Sequence, residues 1–204
     1  MYLPPHFRED RRDVQHALLR ARPLGTLVTA GPAGLVANHV PFLLYADEGP
    51  HGTLRAHLAR ANPQLAELAQ ANECLAIFHG DEDYISPGWY ATKRETGKVV
   101  PTWNFMTVHA WGAPRVIDDA AWLRRQVEDL TNVHEARQPA PWQVDDAPAD
   151  YLATMLKGIV GVEIPIARIE GKWKMSQNRS EADRAGIRAG LRAQGKDDFA
   201  AAIE

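Results

Sequence analysis

The stretch "KVVPTWNFMTVHAWG", residues 98–112, decides how the rest of the chain is read. Its β-branched and aromatic residues give it the composition of a strand. Successive strand side chains point to opposite faces, and here neither face is polar. Val99, Trp103, Phe105 and Trp111 share one parity with Thr107 and His109, whereas Val100, Met106, Val108 and Ala110 share the other with Thr102 and Asn104. Both faces therefore need cover. Thr102 and Asn104 need partners as well, because a buried unsatisfied polar group costs about 1–3 kcal/mol. Periodicity leaves two readings open. One is a central barrel strand whose polar groups bond within the core; the other is a strand between the barrel interior and a subunit interface.

Working outward, "PLGTLVTA" (23–30) and "GLVANHVPFLLY" (34–45) are strand-like runs joined by the turn signal "GPAG". "DEGPHG" is a second turn and "TLRAHLA" (53–59) a third strand, which makes the first third of the chain an antiparallel meander. "NPQLAELAQANE" reads as a helix, with Asn62 at the N-cap and Pro63 at the first helical position. "CLAIFHG" returns as a strand, and residues 81–98 are too rich in Pro, Gly and charge for one regular element. The opening strand runs on into "APRVI". Asp118 or Asp119 then caps the helix "AAWLRRQVEDLTNVHEA", whose apolar residues recur at helical spacing. Pro148 starts a helix to about Lys157, and "IVGVEIPIARIEGKWKM" is a long strand pattern. "SEADRAGIRAGLRAQG" closes the chain as a helix with a Ser180-x-x-Asp183 start, and its Gly186 and Gly190 suit close packing against the barrel. About six mostly antiparallel strands with peripheral helices and no βαβ alternation give a β-barrel-centred α+β domain.

At 204 residues the chain suits a single domain spanning 1–204, with a basic helix at about 180–195 near its end. No apolar run approaches the roughly 20 residues that span a bilayer, and "MYLPPHFREDRRD" has no signal-peptide character. The one cysteine, Cys74, sits in an apolar run and reads as a buried core residue of a cytoplasmic protein. The net charge of −3 is uneven: residues 168–196 carry eight basic residues against three acidic ones, a net +5. That segment is either a solvated helix face or an anion site for a phosphate or a nucleic-acid backbone.

Four places could carry chemistry. In "RAHLARANPQ" (55–64) a strand meets the helix start at Asn62-Pro63, where free N–H groups favour an anion. Arg60 precedes that cap, with Arg55 and His57 on the incoming strand, and the guanidinium offers a forked donor to a phosphate. In "GKWKMSQNR" (171–179), Lys172 and Lys174 share parity opposite Trp173, and Ser176, Gln177 and Asn178 follow. Cations, amides and an aromatic surface suit a planar heteroaromatic ligand bearing a phosphate. Thr102 and Asn104 are the third place, and Asn38 with His39 in "ANHVPF" the fourth. His39, His57, His79 and His109 fall on strands without zinc-site spacing, although any one could ligate a haem. GxGxxG, Walker and G-x-S-x-G motifs are absent, which leaves classical dinucleotide, P-loop and serine-hydrolase chemistry without support. No residue reads as an obligatory catalytic acid or base.

The segments "MYLPPHF", "PLGTLVT", "ANHVPFLL", "AHLARANPQ", "YISPGWYATK", "GKVVPTWNF", "VHAWG", "PWQVDDAP", "MLKGIVGVEI" and "EGKWKMSQNR" run nearly end to end. In them the chain resembles the PaiB-type family of FMN-binding negative transcriptional regulators. The resemblance implies a flavin-binding split β-barrel assembled as a homodimer, with FMN at the subunit interface. From residue chemistry and motif position, Arg60 and the Asn62 helix terminus are expected to hold the phosphate, helped by His57 or Lys174. Asn38, Thr102, Asn104, Gln177 and Asn178 are expected to hydrogen-bond the ring system or ribityl chain, and Trp103 and Trp173 to pack nearby. Any DNA contact falls on Arg184, Arg188 and Arg192. Two alternatives use the same barrel: a flavin-dependent oxidoreductase acting on a small molecule, and a haem-binding or haem-degrading protein.

Overall fold

The computed structural model describes residues 1–32 and 34–203. Its strands are β1 (Arg8–Glu9), β2 (Leu24–Gly31), β3 (Gly34–Pro41), β4 (Leu43–Tyr45), β5 (Thr53–Ala59), β6 (Cys74–Ile85), β7 (Thr102–Gly112), β8 (Arg115–Ile117), β9 (Ile159–Pro165) and β10 (Arg168–Lys174). Its helices are α1 (Arg12–Ala21), α2 (Gln64–Leu68), α3 (Ala91–Thr96), α4 (Ala120–Glu135), α5 (Ala149–Lys157), α6 (Glu181–Arg192) and α7 (Asp197–Ala201). The architecture is α+β with antiparallel sheets, as expected, but the strands are more numerous than the sequence patterns suggested. None of the helices is long and apolar enough to cross a membrane, among the described residues. The chain divides into two compact units, and β6 and β7 contribute residues to each.

The first unit comprises Met1–Leu18, His79–Val108 and the chain from Glu170 onward. Its strands follow the order β1, β10, β7, β6, with Arg8 opposite Lys172 and Glu9 opposite Gly171. A core of Ile85, Tyr90, Met175, Ile187, Leu191 and Phe199 is completed by Trp89, Met106 and Trp173 at its margin. The Ser180 hydroxyl caps α6 by accepting from the Asp183 N–H at 3.2 Å. The two glycines of α6 pack on Trp89 of a 3₁₀ turn, Pro87–Trp89, rather than on a barrel wall. A Cβ at Gly186 would lie 1.9 Å from the Trp89 carbonyl oxygen, and one at Gly190 would lie 2.3 Å from its ring. Neither position admits a side chain.

The second unit comprises Leu19–Phe78 and His109–Ile169. The β2–β3 hairpin runs from Leu24 opposite Pro41 to Gly31 opposite Gly34, and β2 also pairs with the start of β6. Ala33, within the expected "GPAG" turn, lies outside the described residues. A four-stranded sheet follows the order β4, β5, β9, β8. Leu27, Leu54, Ala56, Phe78, Val162 and Ile164 are fully buried. Asp119 caps α4 by accepting from the Trp122 N–H at 2.7 Å. Gly161 on β9 leaves room for the Trp122 ring, which a Cβ there would approach to 2.3 Å.

Several expectations change. The expected meander is split, because β2 and β3 pair with each other whereas β4 joins β5 in the other sheet. "APRVI" is a separate strand paired with β9, and the long 159–175 pattern is two strands. All three breaks fall at prolines: Pro41 ends β3, Pro114 separates β7 from β8, and Pro165 ends β9. Proline has no N–H to donate to a ladder, so each marks where the chain leaves one sheet for another. Strand β6 runs on through "DEDYI" to Ile85, into what composition gave to a loop. Helix α2 spans five residues rather than twelve. Helices α1 and α7 had no counterpart in the sequence reading.

Candidate functional site

Strand β7 begins at Thr102, three residues after the apolar run starts, and its first half does have a solvent face. Trp103 is 54% exposed and Val100, just before the strand, is 64% exposed, whereas Asn104 is 0% exposed. In the first unit, Thr102 and Asn104 meet the end of β10 and the turn after it. Lys174 Nζ donates to Thr102 Oγ1 at 2.5 Å and to the Trp103 carbonyl oxygen. Ser176 Oγ donates to Asn104 Oδ1 at 3.0 Å, while Asn104 Nδ2 is buried with no acceptor among the described residues. Ser176 holds φ 65°, a left-handed conformation that side chains other than glycine adopt at a cost. Gln177 fastens that turn: its Oε1 accepts from the Met175 N–H at 2.8 Å and its Nε2 donates to the Trp173 carbonyl at 2.6 Å.

Thr102, Asn104, Lys174 and Ser176 line a cavity of about 120 Å³, together with Phe7, Asn178 and Arg179. Its chemistry is cationic. Burial, and then the charges of Lys172 and Arg179, hold the Lys174 pKa below its ordinary value. Lys172 donates to the Tyr2 carbonyl at 3.0 Å, and the Arg179 guanidinium lies 4.8 Å from the Tyr90 ring centroid. Beside this corner, Trp103 meets Tyr84 edge-on with ring centroids 6.2 Å apart.

The remaining expected site residues lie in the second unit and are bonded differently. Asn38 Nδ2 donates to Gln64 Oε1 at 2.9 Å, and Asn62 Oδ1 accepts from the Gln64 N–H at 3.0 Å. Gln64 is fully buried and also donates to the Leu27 carbonyl at 3.0 Å, so both asparagines anchor it. His57 Nδ1 pairs with Gln126 Oε1 at 2.7 Å. Arg60 is engaged on three sides. It grips Asp118 with two bonds of 2.7 and 2.6 Å, and donates to the Lys157 and Ile159 carbonyls at 2.8 and 3.1 Å. The Arg60 guanidinium in turn holds the Asp118 carboxyl below its usual range.

A second-unit cavity of about 230 Å³ is lined by Tyr45, Arg55, Trp122, Arg125, Gln126 and Asp129. Arg55 pairs with Glu48 and Glu163 at 2.8 Å each, and Tyr45 donates to Asp129 at 2.5 Å. Burial, reinforced by Asp129, pushes the Tyr45 hydroxyl up to about 12. On α6, Arg184 pairs with Glu181 at 2.8 Å and Arg188 pairs with the same carboxylate, while Arg192 is exposed. Among the described residues, no three His, Cys, Asp or Glu side chains are grouped to hold a metal.

Thr102, Asn104, Lys174 and Asn178 are thus brought around one cavity. Sequence reasoning placed Ser176 in this candidate site but missed Phe7 and Arg179 as members of the cavity. Arg179 stood at the end of the "GKWKMSQNR" motif and could have been named from it. No sequence signal reveals the left-handed Ser176.

The family described as "Putative FMN-binding domain" matches residues 1–168. An uncharacterized protein of Emericella nidulans is 36% identical, over 97% of this chain and 92% of that protein. The protease synthase and sporulation protein PAI 2 of Bacillus subtilis is 30% identical, over 90% of this chain and 85% of that protein. Among solved structures, the FAD and heme binding protein from Mycobacterium smegmatis superposes with a TM-score of 0.61, covering 90% of this chain and 80% of that one. At 17% identity that likeness concerns the fold alone, which is the α+β split β-barrel.

Proposed function

The chain belongs to the PaiB-type FMN-binding family, and from that premise we propose that it is a cytoplasmic, homodimeric, FMN-binding negative regulator of transcription. The observation that carries the flavin reading is the first-unit cavity. A flavin mononucleotide offers mostly acceptors there: pyrimidine carbonyls, ribityl oxygens and a phosphate. The cavity offers Lys174, Arg179, the Asn178 amide and the buried Asn104 Nδ2, which has no acceptor of its own. Donor set and ligand chemistry match. A pocket that encloses a drug-sized ligand measures about 300 Å³ or more, so one chain's cavity of about 120 Å³ takes a part of the flavin. When bound, the flavin supplies a ring that accepts and returns electrons; the chain's own groups bind and orient it.

Homodimer assembly is supported by exposed aromatic surface on the first unit. Trp103, Tyr84 and Val100 are all exposed, and clustered apolar surface of this kind marks interaction sites. DNA contact is assigned to Arg184, Arg188 and Arg192, although Glu181 already neutralises part of that face. Such contact predicts an affinity that falls steeply with salt.

The test is the absorbance spectrum of the purified full chain and of the ligand released from it. Flavin bands, and an FMN-induced rise in melting temperature, are the expected result. A colourless protein whose melting FMN leaves unmoved, or a Soret band in place of flavin absorbance, overturns the reading.

A further inference from the structure

The first-unit cavity has a property that a general flavin contact does not require. Among the described residues no carboxylate lines it, yet two cations and a buried amide donor do. The nearby Asp183 commits both carboxylate oxygens to Thr92, at 2.9 Å from its N–H and 2.9 Å from its hydroxyl. Among the described residues Lys174 has only neutral partners, Thr102 Oγ1 and the Trp103 carbonyl. Its charge is thus half-buried beside Lys172 and Arg179 with no counter-ion in contact. Buried charges are ordinarily paired, and buried amide donors are ordinarily bonded. One ligand settles both deficits: a compact anion with several acceptor oxygens. The size agrees, since about 120 Å³ corresponds to some four water molecules at about 30 Å³ each.

We propose that this cavity is an oxyanion site of phosphate class, taking a phosphate or phosphate monoester on Lys174, Arg179 and the Asn104 amide. Ser176, in its left-handed turn, holds Asn104 by its Oδ1 and so keeps Nδ2 available. Arg179 binds in the forked geometry that suits phosphate oxygens. The oxyanion has two possible sources, the monoester of the flavin cofactor and free inorganic phosphate. The first source rests on the flavin reading above and the second does not.

Calorimetric titration of the full chain with inorganic phosphate, FMN and riboflavin tests this, on the native protein and on Arg179→Gln and Lys174→Met. Removing a charge-assisted bond should weaken phosphate binding, or the preference for FMN over riboflavin, about tenfold or more. Competition separates the sources. FMN that excludes phosphate while riboflavin does not assigns the site to the cofactor's monoester; simultaneous binding of FMN and phosphate assigns it to a free oxyanion. The proposal is overturned if neither phosphate affinity nor the FMN-over-riboflavin preference falls in the variants. A colourless protein that still binds phosphate through Arg179 sinks the flavin reading alone. Thermal melts confirm folding, and Arg179→Gln carries the test if Lys174→Met does not fold.

Discussion

Arg60 in the second unit and Lys174 with Arg179 in the first are basic residues beside short polar turns, and the sequence motifs make them equal candidates for an anion. They differ in what already occupies their donors. Arg60 holds Asp118 through two bonds and two backbone carbonyls through two more. Lys174 holds a hydroxyl and a carbonyl, and among the described residues no carboxylate shares its cavity. A paired cation must give up a partner to take a ligand, whereas an unpaired one gains by it. Charge in a sequence says where cations are; only the fold says which of them is unspent.

The largest effect that sharpens this comparison concerns the support of the first-unit corner. Asp183 is 2% exposed and fixes Thr92 through two bonds. Asp183→Ala leaves a buried N–H and hydroxyl unpaired, at a cost of about 3 kcal/mol in chemical denaturation. Burial alone would push this carboxyl up, but the Thr92 bonds and Arg179 more than offset it and hold it below its ordinary value. Its contribution is therefore complete above the ordinary aspartate value of 3.8 and lost as the pH falls below it. The same pH titration on Asp183→Asn should show a shallower acid slope.

Next in size is Ser176. Ser176→Ala deprives Asn104 of its partner and should cost about 1–2 kcal/mol. Ser176→Gly loses the same bond but accepts φ 65° without strain, and should recover about 1 kcal/mol of that loss. Equal melting temperatures for the two variants would show that the turn carries no strain.

Much of this frame was legible. Strand β5 matches "TLRAHLA" residue for residue, and the Ser180 and Asp119 caps sit where the side chains said. Local signals of this kind survive folding because their partners lie within a few residues. Helix α1 was missed because its inward face includes Gln15 and His16, both buried, which cuts its apolar stripe short. The extension of β6 was missed because Asp81, Glu82 and Asp83 read as loop. Strand β6 lies between β7 and β2 in its sheet, but its pairing with β2 covers Leu75–Ile77 and stops short of these charges. Of the first-unit cavity, motif positions gave Thr102, Asn104, Lys174 and Asn178. The commitment of Arg60 to Asp118 spans 58 residues in sequence, and no periodicity carries it.

Lys174→Met tests the first corner from the side of stability. The charge is held in the fold at a loss, so removing it should leave the melting temperature at neutral pH unchanged or raised. The unfolded chain binds the Lys174 proton more tightly than the folded one. Stability contributed at this site therefore rises as the pH rises toward the ordinary lysine value of 10.5, and the variant should lack that rise. Saturating phosphate should abolish the rise in the native protein too, because a bound oxyanion restores the lysine's preference for its proton.

The smallest effect is expected at the other corner. Arg60 and Asp118 are exposed, and exposed ion pairs contribute little because solvent screens them and ordering two long side chains costs entropy. Asp118→Ala should shift the melting temperature only slightly, and less still in 1 M salt, where the Debye length is about 3 Å. Freed of its carboxylate, Arg60 still donates to the two carbonyls that hold it near α5 and β9. FMN affinity in Asp118→Ala should therefore stay within about twofold of the native value, inside the range a surface charge produces. A tenfold gain would mean that Arg60 binds the cofactor's phosphate once its partner is removed, and the contrast between the two corners would then be one of competition rather than of role.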